Sequence, residues 1–428
     1  MSADADEVWG PHVVSAGAAT VVVDVPAGTP MSGYAARTSD STGVHDPLTV
    51  RALVIDDVGI VVVDCVALRK TTCGELRATR PAGLIDVVIG VTHTHSGPCL
   101  TPNGLGGYSP TVLHAVERAF VEALTAARHA RTPVTVRYGT RRGVGVGRNR
   151  RHHDRAIDPP VQVLAFDGAH GTVATLVTYP MHPVVLSAAN TEISADYVGP
   201  LRDAMESALP GSVCLFAQGC AGDVNDDVHS PEDDFSSALT PGRTFQDADT
   251  TGRTVASAAL DALDDATPLP ARRTEIVTRT VPLDITRLDP DQVAADESTW
   301  RALAATLPPE QRDLYRIWAD WAADWLTHPH PEEHWLARVG VISVGGLPIV
   351  TLPGEPFLAV ADEVRATLGD ALVLGYCDGV SGYLPTADEY PHGGYEVHDA
   401  HRYYGMPGPF APGSAERLID EVRSLRTT

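Results

Sequence analysis

The sequence predicts an α/β protein in which mixed β-sheets are flanked by helices, with a Trp-rich helical insertion. Three observations lead there. Hairpin patterns alternate with strand–helix units, helical stretches carry apolar residues at three-and-four spacing, and five of the six tryptophans crowd between Trp300 and Trp335. Sheets with strands in both directions need helices over their faces to bury the apolar side.

Each element follows from local pattern. Val-rich runs around Asp56-Asp57-Val58-Gly59 predict a hairpin over residues 50–66. The apolar run 85–91 predicts a buried strand, and 112–130 a helix. Runs 161–166 and 173–179 form a hairpin around Asp167-Gly168-Ala169-His170-Gly171. A helix over 201–208, a strand over 213–217 and an Ala-rich helix over 251–263 come next. The chain then turns at Gly345-Gly346 in a hairpin over 341–352, followed by a helix at 357–368 and a strand at 371–376. Residues 12–412 read as one domain with a helical insertion or lid at 286–337. Residues 1–11 and 413–428 read as terminal extensions, the second helical. Within the insertion, Trp318, Trp321 and Trp325 share one helix face, which predicts docking onto the main body. A wall of the active site is the functional alternative.

Composition excludes several classes of partner. The chain has 428 residues, 43% of them hydrophobic and 20% charged, enough for a sizeable core. A formal charge of −23 argues against nucleic acid and anionic membranes, which are polyanions. No apolar run approaches the ~18 residues of a membrane span, and the N-terminus shows no basic-then-apolar leader pattern. Six cysteines are scattered without C-x-x-C spacing, which reads as reduced thiols and a cytoplasmic enzyme. The partner to expect is a small molecule; oligomeric state is open.

Chemistry concentrates where strands end. Thr92-His93-Thr94-His95-Ser96-Gly97-Pro98 follows the strand at 85–91. Side chains two apart on an extended chain point the same way, so His93 and His95 are expected to leave together toward one place. Paired imidazoles begin a transition-metal site. His182-Pro183 follows the strand at 173–178, Gly354-Glu355-Pro356 follows the hairpin at 341–352, and a fourth segment runs from Asp378 to Glu396. By itself each has a plainer reading. Tyr383 can be a core tyrosine, Arg150 half of an ion pair, and Glu355 a first-turn helix residue held by the dipole.

Read in order, these segments resemble the neutral/alkaline ceramidase family, specifically its N-terminal zinc amidohydrolase domain. The resemblance rests on Met31-Ser32-Gly33-Tyr34-Ala35, the hairpin after His45, the His93–Pro98 segment, and Asn149-Arg150 with Asp158-Pro159. It continues through His182-Pro183, Ser194-Ala195-Asp196-Tyr197, Phe216-Ala217-Gln218, Ala221-Gly222-Asp223-Val224 and Pro353-Gly354-Glu355, and ends with Gly382-Tyr383, Glu389-Tyr390 and Tyr395-Glu396. It implies one Zn²⁺ per chain on His93, His182, Glu355 and Tyr383, with His95 as proton shuttle. It further implies Arg150 and Tyr395 as oxyanion donors, with Arg148 and Arg151 as competitors for Arg150, and Gly33 at the substrate through its backbone. Zinc-bound water would attack the amide. Asp223 or Asp196 is a candidate support for the zinc histidines.

The chain also departs from the family. Asn225 follows Val224 where the family usually has serine, which favours water as nucleophile. Cys99 to Gly106 stand where a glycine pair is usual, so a reshaped pocket mouth is expected. The last motif lies close to Thr428, so the family's C-terminal immunoglobulin-like domain is not expected. The resulting expectation is hydrolysis of a small N-acyl amide rather than ceramide. An amide- or lactam-forming acyl transferase and a catalytically inactive zinc-binding scaffold are the alternatives. The cluster His328-Pro329-His330-Pro331-Glu332-Glu333-His334 reads as an exposed loop, and one of His392, His398 and His401 is a candidate to line the pocket.

Overall fold

The computed structural model describes residues 13–102, 104–226, 243–328 and 333–425, with the side chains of 309–311 left aside. Two sheets stack face to face. The larger runs in the order Val213–Phe216, Gly171–Thr178, Val161–Gly168, Thr132–Arg141, Val14–Val22, Thr49–Ile55, Val58–Val63, Asp86–Val91. Its two outermost pairings are parallel, and the pairings between them are antiparallel. The smaller sheet runs Glu275–Asp284, His334–Val344, Leu347–Thr351, Leu372–Leu374, and its last pairing is parallel.

Alternation along each strand separates the layers. Leu53 and Ile55 face Ile342, Val344, Ile349 and Leu374 in the core between the sheets. Their neighbours Val50, Ala52 and Val54 face the opposite way, onto helices Pro110–His129, Val198–Ala208 and Phe245–Asp264. Val339 and Val341 of the smaller sheet likewise turn outward, onto helices Leu358–Leu368 and Ser414–Ser424. The result is a helix/sheet/sheet/helix stack, each strand burying both faces by its two-residue period.

Helix starts are written locally. Ser109 accepts from Val112 N–H with Pro110 in the first turn, and Thr244 with Asp247 forms a capping box. The expected elements are present, with Trp335 the exception. It lies on strand His334–Val344 rather than in the helical segment, because the helices Pro290–Thr306 and Pro309–Thr327 end before it. These helices form a hairpin inserted between the first two strands of the smaller sheet. Trp321 Nε1 donates to Met406 O at 3.1 Å and Trp325 Nε1 to Pro407 O at 2.8 Å, so this face docks onto the body as its spacing predicts. The prolyl part of the 328–334 His cluster lies outside the described residues. At its ends, exposed His328 pairs with Asp324 and exposed His334 with Asp284.

The larger sheet curves until its two ends approach. Gln218, just past one outermost strand, donates from Nε2 to Met181 O at 2.9 Å and to Thr92 O at 3.4 Å. Thr92 follows the strand at the other end. One side chain thereby ties together the residues that precede His93 and His182.

Candidate metal centre

His93, His95 and His182 are buried together, their ring nitrogens close enough to hold a metal ion. The route differs from the one expected. His93 is not extended; its φ is +67°, in the left-handed region. Thr92 N–H and His93 N–H bond Val63 O and Cys65 O, each at 3.0 Å, and this curls the chain off the strand end. The rings of His93 and His95 converge edge-to-face at 4.9 Å through that turn and not through strand alternation. A β-carbon in this backbone region costs energy, on the order of 1–3 kcal/mol, and such positions cluster at functional sites.

Backbone carbonyls fix the rings. His93 Nδ1 donates to Val66 O at 2.5 Å, and His182 Nδ1 to Ala221 O at 2.7 Å. With Nδ1 protonated, each Nε2 presents a lone pair inward. These atoms lie 3.2 and 3.1 Å from Glu355 Oε2. Inward lone pairs facing a carboxylate ask for a cation among them, so the donor set fits a metal. Neither Asp196 nor Asp223 supports the histidines. Asp196 accepts from the N–H groups of Leu186 and Tyr197, and Asp223 from Leu358 N–H and Asn149 Nδ2.

Glu355 is not a helix-dipole residue. It precedes helix Leu358–Leu368 and turns to the histidines. Its backbone pairs with Tyr383 in a short parallel ladder, which sets the Tyr383 ring 6.4 Å from that of His182, stacked with the planes 23° apart. Arg150 hydrogen-bonds Tyr383 and lies 5.2 Å above its ring. Arg150 is also half of an ion pair, 2.8 Å from Glu396. Its neighbour Arg151 pairs instead with Glu389 and Glu396. The Tyr395 ring meets the Tyr383 ring at 5.8 Å. Gly33 has φ +107°, and a β-carbon there would stand 2.6 Å from His95 Cβ, so His95 packs directly on its backbone. Arg37 Nη1 donates to His95 O at 2.8 Å.

The charges follow from this packing. Burial works to raise the Glu355 carboxyl, but the imidazoles of His93 and His182 that face it hold it well below the usual carboxylate range. Burial, then the charge of Arg150, lowers His182 to about 4. Burial, then the two neighbouring imidazoles, holds His95 well below its ordinary value. Burial pushes the Tyr383 and Tyr395 phenols up, and nearby Glu355 adds to it.

Sequence reasoning missed two residues here. The Tyr404 hydroxyl donates to Glu355 Oε1, and Tyr376 OH donates to Glu355 Oε2 at 3.4 Å. The run of tyrosines between Tyr383 and Tyr404 was the available signal for Tyr404; Tyr376 ends the strand run 371–376 and reads as core. His401, His392 and His398 do not line the cavity of about 40 Å³ that Gly33, His95, Tyr383, Tyr395 and Tyr404 enclose. His401 is buried edge-on against Trp321, and His392 faces His152.

Fold and centre define an α/β protein with a buried histidine–carboxylate cluster of metal-binding chemistry. Residues 15–254 match the N-terminal region of the neutral/alkaline non-lysosomal ceramidase family, and the chain belongs to that family. It is 24% identical over 453 residues to a neutral ceramidase of Mycobacterium tuberculosis, covering 86% of this chain and 70% of that one. The crystal structure of neutral ceramidase from Pseudomonas aeruginosa shares the fold at TM-score 0.72 and 20% identity, over 96% of this chain and 73% of the other. A structure described as ceramidase complexed with C2 does so at TM-score 0.72 and 18% identity, over 97% and 75%. No helix among the described residues is long and apolar enough to cross a membrane.

Proposed function

We propose that this protein is a zinc-dependent amidohydrolase acting on a linear N-acyl amide, with one zinc per chain held by His93, His182, Glu355 and Tyr383. The observation that carries this reading is the meeting of His93 Nε2 and His182 Nε2 at Glu355 Oε2, at 3.2 and 3.1 Å. Membership of the ceramidase family supports the amide as the bond cleaved. Zinc in this donor set would polarise the scissile carbonyl and activate water.

The chain's own residues supply the rest. Burial and the neighbouring imidazoles disfavour a charge on His95, whose Nε2 lies 3.2 Å from His93 Nε2, beside the ligands and facing the small cavity. It takes a proton as water attacks and returns it to the leaving amine nitrogen. Arg150, held by Glu396, and Tyr395 donate to the developing oxyanion, worth roughly 3–4 kcal/mol per donor. Gly33 keeps a β-carbon away so that substrate and His95 can approach its backbone. Asn225 cannot take an acyl group, and its Oδ1 accepts from Arg150 Nη1 at 3.4 Å, consistent with direct attack by water.

The test is zinc per chain by elemental mass spectrometry on wild type and His182→Ala, with turnover on an amide panel. About one zinc in wild type, lost in the variant, is expected, together with amine release. A well-folded wild type that takes up no metal when zinc is supplied sinks the reading. The tyrosine walls of the small cavity are the one feature favouring amide formation by the same residues, since apolar rings around the reacting atoms reduce the water available there. Product analysis with and without an added amine separates the two.

A further inference from the structure

A second, larger hollow adjoins the catalytic cavity. It measures about 660 Å³ and shares Gly104 and Leu105 with the smaller one as a common wall. Gly104 and Leu105 belong to the stretch 99–106 that departs from the family pattern. The opposite wall is helix Pro309–Thr327. From it Asp313, Arg316, Ile317, Asp320, Trp321, Asp324 and Trp325 line the cleft, one face at three-and-four spacing.

This wall is mixed in chemistry. The indoles of Trp321 and Trp325 give a narrow apolar strip, pinned by their N–H bonds to Met406 O and Pro407 O. Charged side chains border the strip: Asp320, 55% exposed and paired with Arg301 and Arg316, and Asp324, 65% exposed and paired with His328, with Arg37, Arg69 and Arg402 elsewhere in the lining. A long alkyl chain gains its binding from apolar area removed from water, and it would have to lie against these carboxylates instead. A compact amide with polar substituents meets a stacking surface and hydrogen-bond partners in the same space.

We infer that the helix Pro309–Thr327 forms the specificity wall of the substrate cleft, and that the cleft takes a short, polar amide rather than one with a long alkyl chain. The inference rests on the amide-hydrolase reading of the adjoining centre. It assigns Trp321 the role of stacking surface and Asp320 and Asp324 the role of excluding long chains.

The experiment uses the zinc-loaded full chain and N-acyl amides of one polar amine, with acyl lengths of two, four, eight, twelve and sixteen carbons. Amine release gives kcat/KM. Tryptophan fluorescence on the His95→Ala variant gives binding without turnover. The expected result is a kcat/KM that peaks at two to four carbons and falls at least tenfold by twelve. Asp324→Leu, an exposed position where folding is not at stake, should shift the ratio of eight-carbon to two-carbon kcat/KM upward severalfold. Trp321→Ala should raise KM more than it lowers kcat. Tighter binding and faster cleavage of the sixteen-carbon amide, or an unchanged length ratio in Asp324→Leu, overturns the inference while amide hydrolysis stands. Short amides that bind, respond to Asp324→Leu and are never cleaved uphold the cleft and sink the hydrolase reading. Binding by no member of the series overturns both.

Discussion

The hydroxyl of Tyr404 donates to Glu355 Oε1, leaving Oε2 alone to face His182 Nε2 at 3.1 Å and His93 Nε2 at 3.2 Å. Two phenols thus orient the carboxylate, Tyr404 on Oε1 and, more weakly at 3.4 Å, Tyr376 on the Oε2 that faces the histidines. Tyr404 lies two residues after Arg402, whose guanidinium is 4.7 Å from the ring centroids of Trp300 and Trp318. The inserted helices and the metal centre therefore share a support.

Removing that hydroxyl should loosen the metal. Outer partners of ligating groups typically contribute 10–100-fold to affinity. For Tyr404→Phe we expect zinc affinity, measured by chelator competition, to drop by roughly that range, with thermal stability of the metal-free protein little changed. Unaltered affinity would show that Glu355 is held by its own backbone and by Tyr376.

Gly33 is the backbone on which His95 rests. A methyl group at residue 33 would meet His95 Cβ and Cγ at 2.6 Å, on a backbone with φ +107°. Gly33→Ala should therefore displace the imidazole and lower amide turnover by about 100-fold, as expected when a catalytic group shifts by an ångström. Zinc content should stay near wild type, because the proposed ligands are elsewhere. Loss of zinc together with activity would reveal His95 as a ligand.

Asp223 binds the start of helix Leu358–Leu368 through Leu358 N–H at 2.7 Å, and Asn149 Nδ2 at 2.8 Å. Asp223→Ala strands two buried donors, at about 1–3 kcal/mol for each unsatisfied group. Urea unfolding should register that loss, while zinc per chain persists in the folded variant. A variant of full stability that has lost its zinc would restore Asp223 as a direct support of the histidines.

Acid should weaken the fold through His401. Burial, then the charge of Arg402, pushes its imidazole down to about 3. An unfolded histidine titrates near 6.5. The folded value lies below the unfolded one, so its contribution is intact above ~6.5 and is lost as pH falls toward 3. The slope is at most about 1.4 kcal/mol per pH unit. Asp196, pushed up to about 7 by burial, acts with the opposite sign, costing stability as pH rises from ~4 toward 7. Urea unfolding at pH 5, 6 and 7 should give a flatter acid limb for His401→Phe than for wild type. Parallel curves for the two proteins would mean that His401 takes its proton in the folded state.

The sequence by itself determined the layers and the meeting of motifs at strand ends. Two-residue and 3.6-residue periods are local signals, and they are visible in the runs that became strand Asp86–Val91 and helix Pro110–His129. The ordered motifs also pointed to His93, His182 and Glu355. What only the tertiary structure decided is how these residues are held. The left-handed turn at His93, the carbonyls of Val66 and Ala221 that orient two rings, and the Gln218 bridge all depend on chain segments far apart in sequence. Backbone carbonyls carry no side-chain identity, so their role leaves no trace in residue types. Tyr404 was hidden for a related reason: a tyrosine reads as core until the fold shows which polar atom stands beside it. The tryptophan face was legible as either a docking face or a wall, and only the fold sets it beside a cleft.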